Sequence, residues 1–287
     1  MVRSTGIKLR AYGELIRLDL AFGAGFFVIA GEVFATGGLP PIPLIAAGFI
    51  ALLFISGSAN IANDYFDREV DRINRPLRPL PSGRVTVREV WALFALASGI
   101  GIAAAAFLGP QVLVPAVLLW GLSFLYNLRI KEYGFFGNLV VAFCVGMTVI
   151  IGGLAAGNPG GIVLVFGALA FFFDLGEEIA ADTMDLEGDQ VRSSRSIAGT
   201  RGRTFSLLLS MLPFGIFIAL VPVPFFLGRA GYGYLAIAAA FDLWMIWCVV
   251  NLAADRSIAE GHTWIRRLYL SWGIFMIAAV ISSLLQI

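Results

Sequence analysis

The sequence is dominated by long runs of apolar residues separated by short polar connections. A transmembrane helix needs about 20 consecutive, mostly apolar residues. Runs of this kind predict nine such helices, at Leu18–Thr36, Ile42–Ile61, Val90–Leu108, Pro110–Leu125, Phe135–Ala156, Gly161–Ala180, Phe205–Leu227, Tyr232–Ala253 and Leu268–Ile287. The boundary between the third and fourth runs rests on Gly109-Pro110, a helix breaker. We therefore predict an all-α, polytopic membrane bundle of nine transmembrane helices around a central cavity. It is expected to form a single domain over residues 1–287.

The composition supports a membrane protein and excludes several kinds of site. Of the 287 residues, 59% are hydrophobic and 14% are charged, whereas about a quarter of an ordinary soluble domain is charged. A soluble fold of this length could not hide so much apolar surface from water. Cys144 and Cys248 lie far apart in apolar runs, so we interpret them as core residues. The single histidine, His262, excludes a multi-histidine metal centre. No cleavable signal peptide is expected, because the first apolar run lacks a convincing cleavage site.

The basic residues fall almost entirely on one side of the predicted bundle. All but one of the 20 Lys and Arg residues lie in the N-terminal segment or after even-numbered helices, and the exception is Arg229. The positive-inside rule assigns the basic side to the cytoplasm. We predict an integral protein of the cell membrane whose N-terminus and two acidic motifs, described next, are cytoplasmic.

The first acidic motif follows the second predicted helix. Asn63, Asp67 and Asp71 are spaced i, i+4, i+8, which places all three on one face of a helix. The segment extends directly from the end of the helix, so its carboxylates are expected at the membrane surface or in a cavity below it. Arg72 is predicted to contact a phosphate or to pair with Asp71.

The second acidic motif follows the sixth predicted helix. Asp185 and Asp189 are spaced i, i+4, and Glu178 and Asp182 continue the same stripe toward the bilayer. Carboxylates that close to hydrocarbon are costly and usually functional.

Two carboxylate stripes with nearby arginines suggest a particular chemistry. Like charges on one face repel each other, and divalent cations between them relieve the repulsion. Hard oxygen ligands suit Mg²⁺, which typically binds one or two carboxylates together with substrate phosphates. A diphosphate held in this way is a good leaving group, because metal ions and basic side chains neutralise the charge that develops. If it leaves an allylic prenyl chain, a stabilised carbocation remains, and the apolar bundle shields that cation from water.

These residues resemble the motifs of the UbiA superfamily of intramembrane prenyltransferases, and the resemblance extends over nearly the whole chain. The family pattern is N-x-x-x-D-x-x-x-D after the second helix and D-x-x-x-D after the sixth. The string from Asn63 to Arg84 looks most like the archaeal ether-lipid and chlorophyll branches. The stretch from Leu125 to Asn138 is similar to a family segment that offers Lys131 as a diphosphate contact.

The resemblance implies specific roles for the motif residues and a requirement for Mg²⁺, with two or more ions bridging the diphosphate. The expected metal ligands are Asn63, Asp67, Asp71, Asp185 and Asp189, and the four aspartates among them are the expected catalytic residues. The expected substrate contacts are Asn63, Arg72, Lys131 and Asp182. The chain departs from the family pattern at Ser193, where glycine is usual, and near Ala181, where a basic residue is usual in the lipid enzymes. These departures leave the metal ligands intact and bear on the acceptor.

Three functions remain open at this point. The favoured one is transfer of a prenyl group, preferably geranylgeranyl, from a prenyl diphosphate to a lipophilic acceptor. Its best candidate acceptor is geranylgeranylglyceryl phosphate in ether-lipid synthesis, and an aromatic acceptor of the quinone or chlorophyll type is the competitor. The others are a terpene cyclase on the same scaffold and a transporter with acidic gates. The expected partners are these substrates and membrane lipid, without nucleic acid. The roles of Asp242 and Glu178, the chain length of the prenyl group and the oligomeric state stay open.

Overall fold

A computed structural model describes residues 2–184, 196–254 and 257–286, and these residues form helices and connections without a β-strand. In chain order the α-helices are α1 (Val2–Ile16), α2 (Leu18–Thr36), α3 (Ile42–Phe66), α4 (Arg68–Asn74), α5 (Val87–Phe107), α6 (Pro110–Leu128), α7 (Phe135–Ala155), α8 (Ile162–Ala181), α9 (Ile197–Arg201), α10 (Arg203–Leu220), α11 (Val223–Phe226), α12 (Tyr232–Ala254) and α13 (Ile258–Leu285). A short 3₁₀ helix, Ile130–Tyr133, connects α6 to α7. The predicted all-α class is confirmed.

Each predicted span corresponds to a long helix. The predicted count of nine transmembrane helices is nevertheless too high by one, if a helix must be both long enough and apolar enough to cross a membrane. Eight of the described helices meet both conditions. The exception is α8, the sixth predicted span, which carries Asp174, Glu177 and Glu178 in its second half. The three carboxylates exclude α8, because they give it more charged residues than the other eight spans carry in their apolar stretch, and all three belong to its end nearest the second acidic motif.

The junction between α3 and α4 presents the first acidic motif. Asp67 lies between the two helices, with φ −90° and ψ 0°. The helical hydrogen bonding nevertheless continues across the junction, because Asp67 N donates to Asn63 O over 2.9 Å and Asp71 N donates to Asp67 O over 2.8 Å. The three motif residues therefore keep their helical spacing on a segment that projects from the end of α3.

Glycines bring α2 and α7 into direct backbone contact. A Cβ atom on Gly31 would lie 2.0 Å from Val149 O, and one on Gly152 would lie 2.1 Å from Val28 O. Small residues at such crossings let helices approach closely in lipid, where van der Waals packing drives association. This contact fixes α2, whose first residues lie beside the acidic motif, against the centre of the bundle.

Substitution of Gly152 by valine is expected to destabilise the bundle by more than about 1–3 kcal/mol, the usual range for overpacking, since the new atoms would collide with backbone. Gly99 is the matched control, because a Cβ atom there meets nothing within 4 Å. The measurement is the fraction of protein that stays monodisperse in detergent after heating. Equal heat resistance of Gly152→Val and Gly99→Val would contradict the close contact.

The apolar core is richest where α8, α10, α12 and α13 meet. Phe173 and Trp272 stack with ring centroids 5.3 Å apart, and Phe241 and Phe275 stack at 4.3 Å. Offset stacking of this kind adds to the burial of aromatic area. The core therefore holds α8 firmly, and with it the carboxylates at its end.

Candidate active site

A polar cavity of about 260 Å³ lies at the end of the bundle where α3 and α8 finish. Asp67 and Val70 line one wall, Lys131 and Glu132 come from the 3₁₀ helix, and the end of α8 forms the far wall with Glu178 and Asp182. The cavity thus brings together Asp67, Lys131 and Asp182, three of the residues that the sequence predicts for the site.

Asp67 is the central carboxylate of the first motif in this cavity. Its side chain is buried, and Lys131 Nζ donates a hydrogen bond to its Oδ1 atom. The Lys131 ammonium is also largely buried, with 14% of the side chain exposed. Both charges therefore lie in a region of low dielectric, where each acts strongly on any further charged group that enters the cavity.

Asn63 lies one turn before Asp67 on the helical segment that carries the first motif (residues 63–74, the motif helix). Its Nδ2 atom donates to Asn127 Oδ1 over 2.9 Å, and its Oδ1 atom accepts from Arg17 Nη2 over 2.7 Å. Asn127 in turn donates to Ala59 O and Ser123 O. Because both ends of the Asn63 amide are bonded, its orientation is fixed with the carbonyl oxygen toward Arg17.

Asp71 and Asp64 share one arginine. Arg78 Nη1 donates to Asp71 Oδ2 over 2.7 Å and to Asp64 Oδ1 over 3.1 Å, and Arg17 Nη2 donates to Asp64 Oδ1 over 2.8 Å. Both carboxylates are buried. Arg17 and Arg78 line a second cavity of about 530 Å³ together with Asp64 and Arg75. The motif helix therefore separates two polar cavities, one facing Lys131 and the other facing arginines.

Glu14 on α1 borders this second cavity and pairs with Arg84. Arg84 Nη2 donates to Glu14 Oε2 over 2.6 Å, and this hydrogen bond lowers the pKa of the Glu14 carboxyl below its ordinary value. Glu14 thus stays ionised at neutral pH and ties α1 to the connection between α4 and α5.

Arg17 is a site residue that the sequence analysis did not single out. It links α1 to α2 with a left-handed backbone, φ 51° and ψ 67°, a conformation that costs a non-glycine residue about 1–3 kcal/mol. The bonds to Asn63 and Asp64 hold its side chain in place. A strained backbone at a buried polar cluster is a feature of functional sites, but no local sequence pattern marks it.

On the far wall of the cavity, the Asp182 carboxylate accepts a hydrogen bond from a side-chain amide. Asn138 Nδ2, near the start of α7, donates to Asp182 Oδ2 over 3.0 Å. Deeper along α8, Asp174 interacts electrostatically with Glu177, and Glu177 with Glu178. The acidic stripe predicted from Glu178 and Asp182 therefore continues inward to Asp174, and the sequence analysis missed this extension.

Some predicted site residues lie elsewhere. Arg72 is mostly exposed and donates to Glu69 over 2.7 Å, and it lines neither cavity. Asp185 and Asp189 lie outside the described residues. The structure therefore places Asp67 of the first motif at the cavity, whereas Asn63 and Asp71 line neither cavity, and it leaves the second motif as a prediction.

The donor set at the cavity fits a divalent cation in its chemistry. Carboxylates stand on both walls, Asp67 on one and Asp182 with Glu178 on the other, and carboxylate oxygen is a ligand that Mg²⁺ prefers. Within residues 2–184, 196–254 and 257–286, no three carboxylate, cysteine or histidine side chains are close enough to hold an ion by themselves. Mg²⁺ commonly binds one or two carboxylates and takes its other ligands from water and substrate phosphates.

A bundle of apolar helices with buried carboxylates and basic side chains at one end agrees with the architecture expected of an intramembrane prenyltransferase. The UbiA prenyltransferase family model matches residues 24–281, and the chain belongs to this family. It is therefore an integral membrane protein and an enzyme that transfers prenyl groups.

The chain is also similar to named relatives and to solved structures. It is 35% identical to digeranylgeranylglyceryl phosphate synthase of Methanopyrus kandleri, over 80% of this chain and 84% of the relative. It is 32% identical to the synthase of Pyrococcus abyssi, over 80% and 83%. A solved structure concerning digeranylgeranylglyceryl phosphate synthase in membranes superimposes with a TM-score of 0.80 at 27% identity, covering 96% of this chain and 99% of the other. A UbiA homologue from Archaeoglobus fulgidus bound to GPP and Mg²⁺ shares the fold, with a TM-score of 0.71 at 17% identity and the same coverage.

Proposed function

We propose that this enzyme transfers a geranylgeranyl group from its diphosphate to geranylgeranylglyceryl phosphate, a step of ether-lipid synthesis, and that it requires Mg²⁺. The observation that carries the proposal is the cavity between α3 and α8, in which Asp67, Lys131 and Asp182 converge. The names of the Methanopyrus and Pyrococcus relatives support the choice of acceptor.

The residues at the cavity have separate tasks in this proposal. Asp67 at the cavity, with Asp185 and Asp189 beyond the described residues, would hold Mg²⁺. Asn63 and Asp71, which bond to Arg17 and Arg78 in this structure, would complete the ligand set that the motifs predict. When bound, this cation stabilises the negative charge on the departing diphosphate. Lys131 donates hydrogen bonds to diphosphate oxygens from its largely buried position. Phe66 and Val70 line the same cavity and keep water from the prenyl carbon while it carries positive charge.

The second cavity suits the phosphate of the acceptor. Arg17, Arg75 and Arg78 line it, and arginine binds phosphate through paired N–H donors. The Arg75 side chain is exposed and has no hydrogen bond or ion pair within the described ranges. Since α8 carries carboxylates and no basic residue, the arginine side of the motif helix is the more favourable place for a phosphate. The acidic motifs and the N-terminus lie on the cytoplasmic side in this proposal.

Product analysis tests the proposed reaction. Purified protein with Mg²⁺ is incubated with geranylgeranyl diphosphate and, in separate reactions, with geranylgeranylglyceryl phosphate, an aromatic quinone precursor or no acceptor. The expected result is a digeranylgeranyl ether that forms only with the glyceryl phosphate. Prenylation of the aromatic compound instead would contradict the acceptor, and a cyclic hydrocarbon in the reaction without acceptor would contradict transferase activity.

A further inference from the structure

A separate cavity of about 540 Å³ lies at the end of the bundle opposite the acidic motifs. The end of α2, the connection from α7 to α8, the connection from α11 to α12 and the end of α13 surround it. Because α2 begins beside Asn63 and Asp64 and ends at this cavity, the length of a whole helix separates the two sites. The prenyl transfer described above gives this cavity no task.

The cavity has an apolar floor and a polar mouth. Phe34 and Phe166 stack at the floor with their ring centroids 4.0 Å apart, and both line the cavity. Arg229, Ser283 and Gln286 contribute polar side chains to its lining. A lining that is apolar on one side and polar on the other matches an amphipathic ligand such as a lipid.

Arg229 is a cation without a charged partner among the residues that the structure describes. It is exposed, and its side chain has no ion pair or hydrogen bond in the described part of the chain. The connections at this end, residues 37–41, 108–109, 156–161 and 221–231, contain no Asp or Glu in the sequence. A lone cation beside a polar cavity attracts an anion, and arginine is well suited to phosphate.

The depth of Arg229 favours a lipid as the source of that anion. Phe226 is 75% exposed and Tyr232 is 81% exposed, on either side of Arg229 in sequence. Tyrosine and tryptophan side chains of membrane proteins concentrate at the level of the headgroups, and Tyr232 is such a residue. Arg229 therefore lies where lipid phosphates are abundant, and the stacked phenylalanines offer a surface to the adjoining chain.

We propose that the cavity at Arg229 binds an anionic phospholipid through its phosphate, at the face of the bundle remote from catalysis. The Arg229 guanidinium pairs with the phosphate, Ser283 and Gln286 lie beside the headgroup, and the first part of a lipid chain packs on Phe34 and Phe166. The starts of α8 and α12 border the same cavity at Gly161 and Gly231, so their helix dipoles add to the attraction for a negative charge.

Photo-crosslinking in lipid nanodiscs tests this site. The full-length protein is reconstituted with a trace of phosphatidylglycerol that carries a photoreactive group near the glycerol, and mass spectrometry maps the labelled peptides. The expected result is labelling of residues 221–231 and of the end of α13. Loss of one arginine contact at the headgroup level lowers affinity roughly fivefold, so Arg229→Gln is expected to reduce this labelling to a similar extent, while Arg229→Lys retains most of it.

Arg88→Gln is the matched control, since Arg88 is also exposed and lies at the opposite end of the bundle, at the start of α5. It removes the same charge and should leave the labelling of residues 221–231 unchanged. Unaltered labelling in Arg229→Gln, or equal loss in Arg88→Gln, would overturn the proposal.

Two competitors identify the ligand: excess unlabelled phosphatidylglycerol should suppress the labelling, and suppression by inorganic phosphate alone would show a simple anion site instead. None of these variants alters a residue of the catalytic cavity. A failure of the proposed lipid site can therefore be distinguished from a failure of the proposed prenyl transfer.

Discussion

Replacement of Asp67 by asparagine is expected to lower turnover roughly 10²–10³-fold, the usual cost of losing one group that stabilises charge in the transition state. The substitution removes the negative charge that would hold Mg²⁺ in the cavity. It keeps an oxygen at the same position, which can still accept the hydrogen bond from Lys131. We therefore expect the variant to fold, and turnover in the geranylgeranyl transfer assay together with elution on size exclusion measures both effects.

Glu69→Gln is the matched control for this experiment. Glu69 lies two residues further along the chain, its side chain is 62% exposed, and it pairs with Arg72 and Arg68 on the surface. Exposed ion pairs contribute about 0–1 kcal/mol, so both turnover and stability should stay near those of the unmodified protein. A similar loss of turnover in both variants would assign the effect to the total charge of the segment.

A double substitution separates the two roles that Asp67 could have. If Asp67 serves only to neutralise Lys131, then Asp67→Asn with Lys131→Met leaves no unbalanced charge, and binding of Mg²⁺ should recover relative to Asp67→Asn alone. If Asp67 holds the metal ion, the double variant binds Mg²⁺ as weakly as Asp67→Asn, because the carboxylate ligand is still missing. We expect the second result, and the measurement is binding of Mg²⁺ instead of turnover, because Lys131 is itself proposed to contact the diphosphate; recovery of binding in the double variant would show coupling within the Asp67–Lys131 pair.

Removal of divalent cations is expected to abolish transfer entirely, and addition of Mg²⁺ to restore it. The reason is electrostatic: the diphosphate is multiply charged, and the wall formed by Glu178 and Asp182 is negative as well. Lys131 alone cannot neutralise both. The measurement is turnover after EDTA treatment, followed by titration with Mg²⁺ and, in parallel, with Ca²⁺. The larger Ca²⁺ ion takes more ligands at longer distances, so it should restore less activity.

Transfer that persists in EDTA would contradict the metal requirement. A control with excess EDTA already saturated by Mg²⁺ excludes an effect of the chelator on the membrane or the detergent. Because Asp67→Asn and metal removal act on the same step, the variant should need more Mg²⁺ for its residual activity. An unchanged Mg²⁺ dependence of the variant would place Asp67 outside the metal site.

The sequence predicted the helices well because hydropathy reports burial in lipid directly. The errors lie at helix ends, where a helix continues through polar residues. The second span was predicted to end at Ile61, yet α3 continues to Phe66, since backbone hydrogen bonding does not stop at the first polar side chain. The last span was predicted to start at Leu268, whereas α13 starts at Ile258, after an N-cap in which Ser257 Oγ accepts a hydrogen bond from Glu260 N. Its first turns are amphipathic and so escape a search for apolar runs.

The candidate site was only partly predictable, for a different reason. The spacing of Asn63, Asp67 and Asp71 is local, so the sequence alone could place the three residues on one helical segment. The pairing of Asp67 with Lys131, 64 positions away, and of Asn63 with Arg17 depends on how helices pack. Lys131 entered the prediction through a resemblance, and Arg17 did not enter it, because a left-handed backbone at an arginine has no sequence signature.

The carboxylates of α8 have a consequence for how the protein reaches the membrane. An acidic residue near the centre of a helix opposes insertion by up to about 3 kcal/mol, and α8 has three in its second half. Its neighbour α7 is apolar and is joined to it by the short connection 156–161. The two helices also meet closely, since a Cβ atom on Gly146 would lie 2.8 Å from Gly167 O. We therefore expect α7 and α8 to insert together as one hairpin, because the carboxylates of α8 then contact α7 instead of lipid.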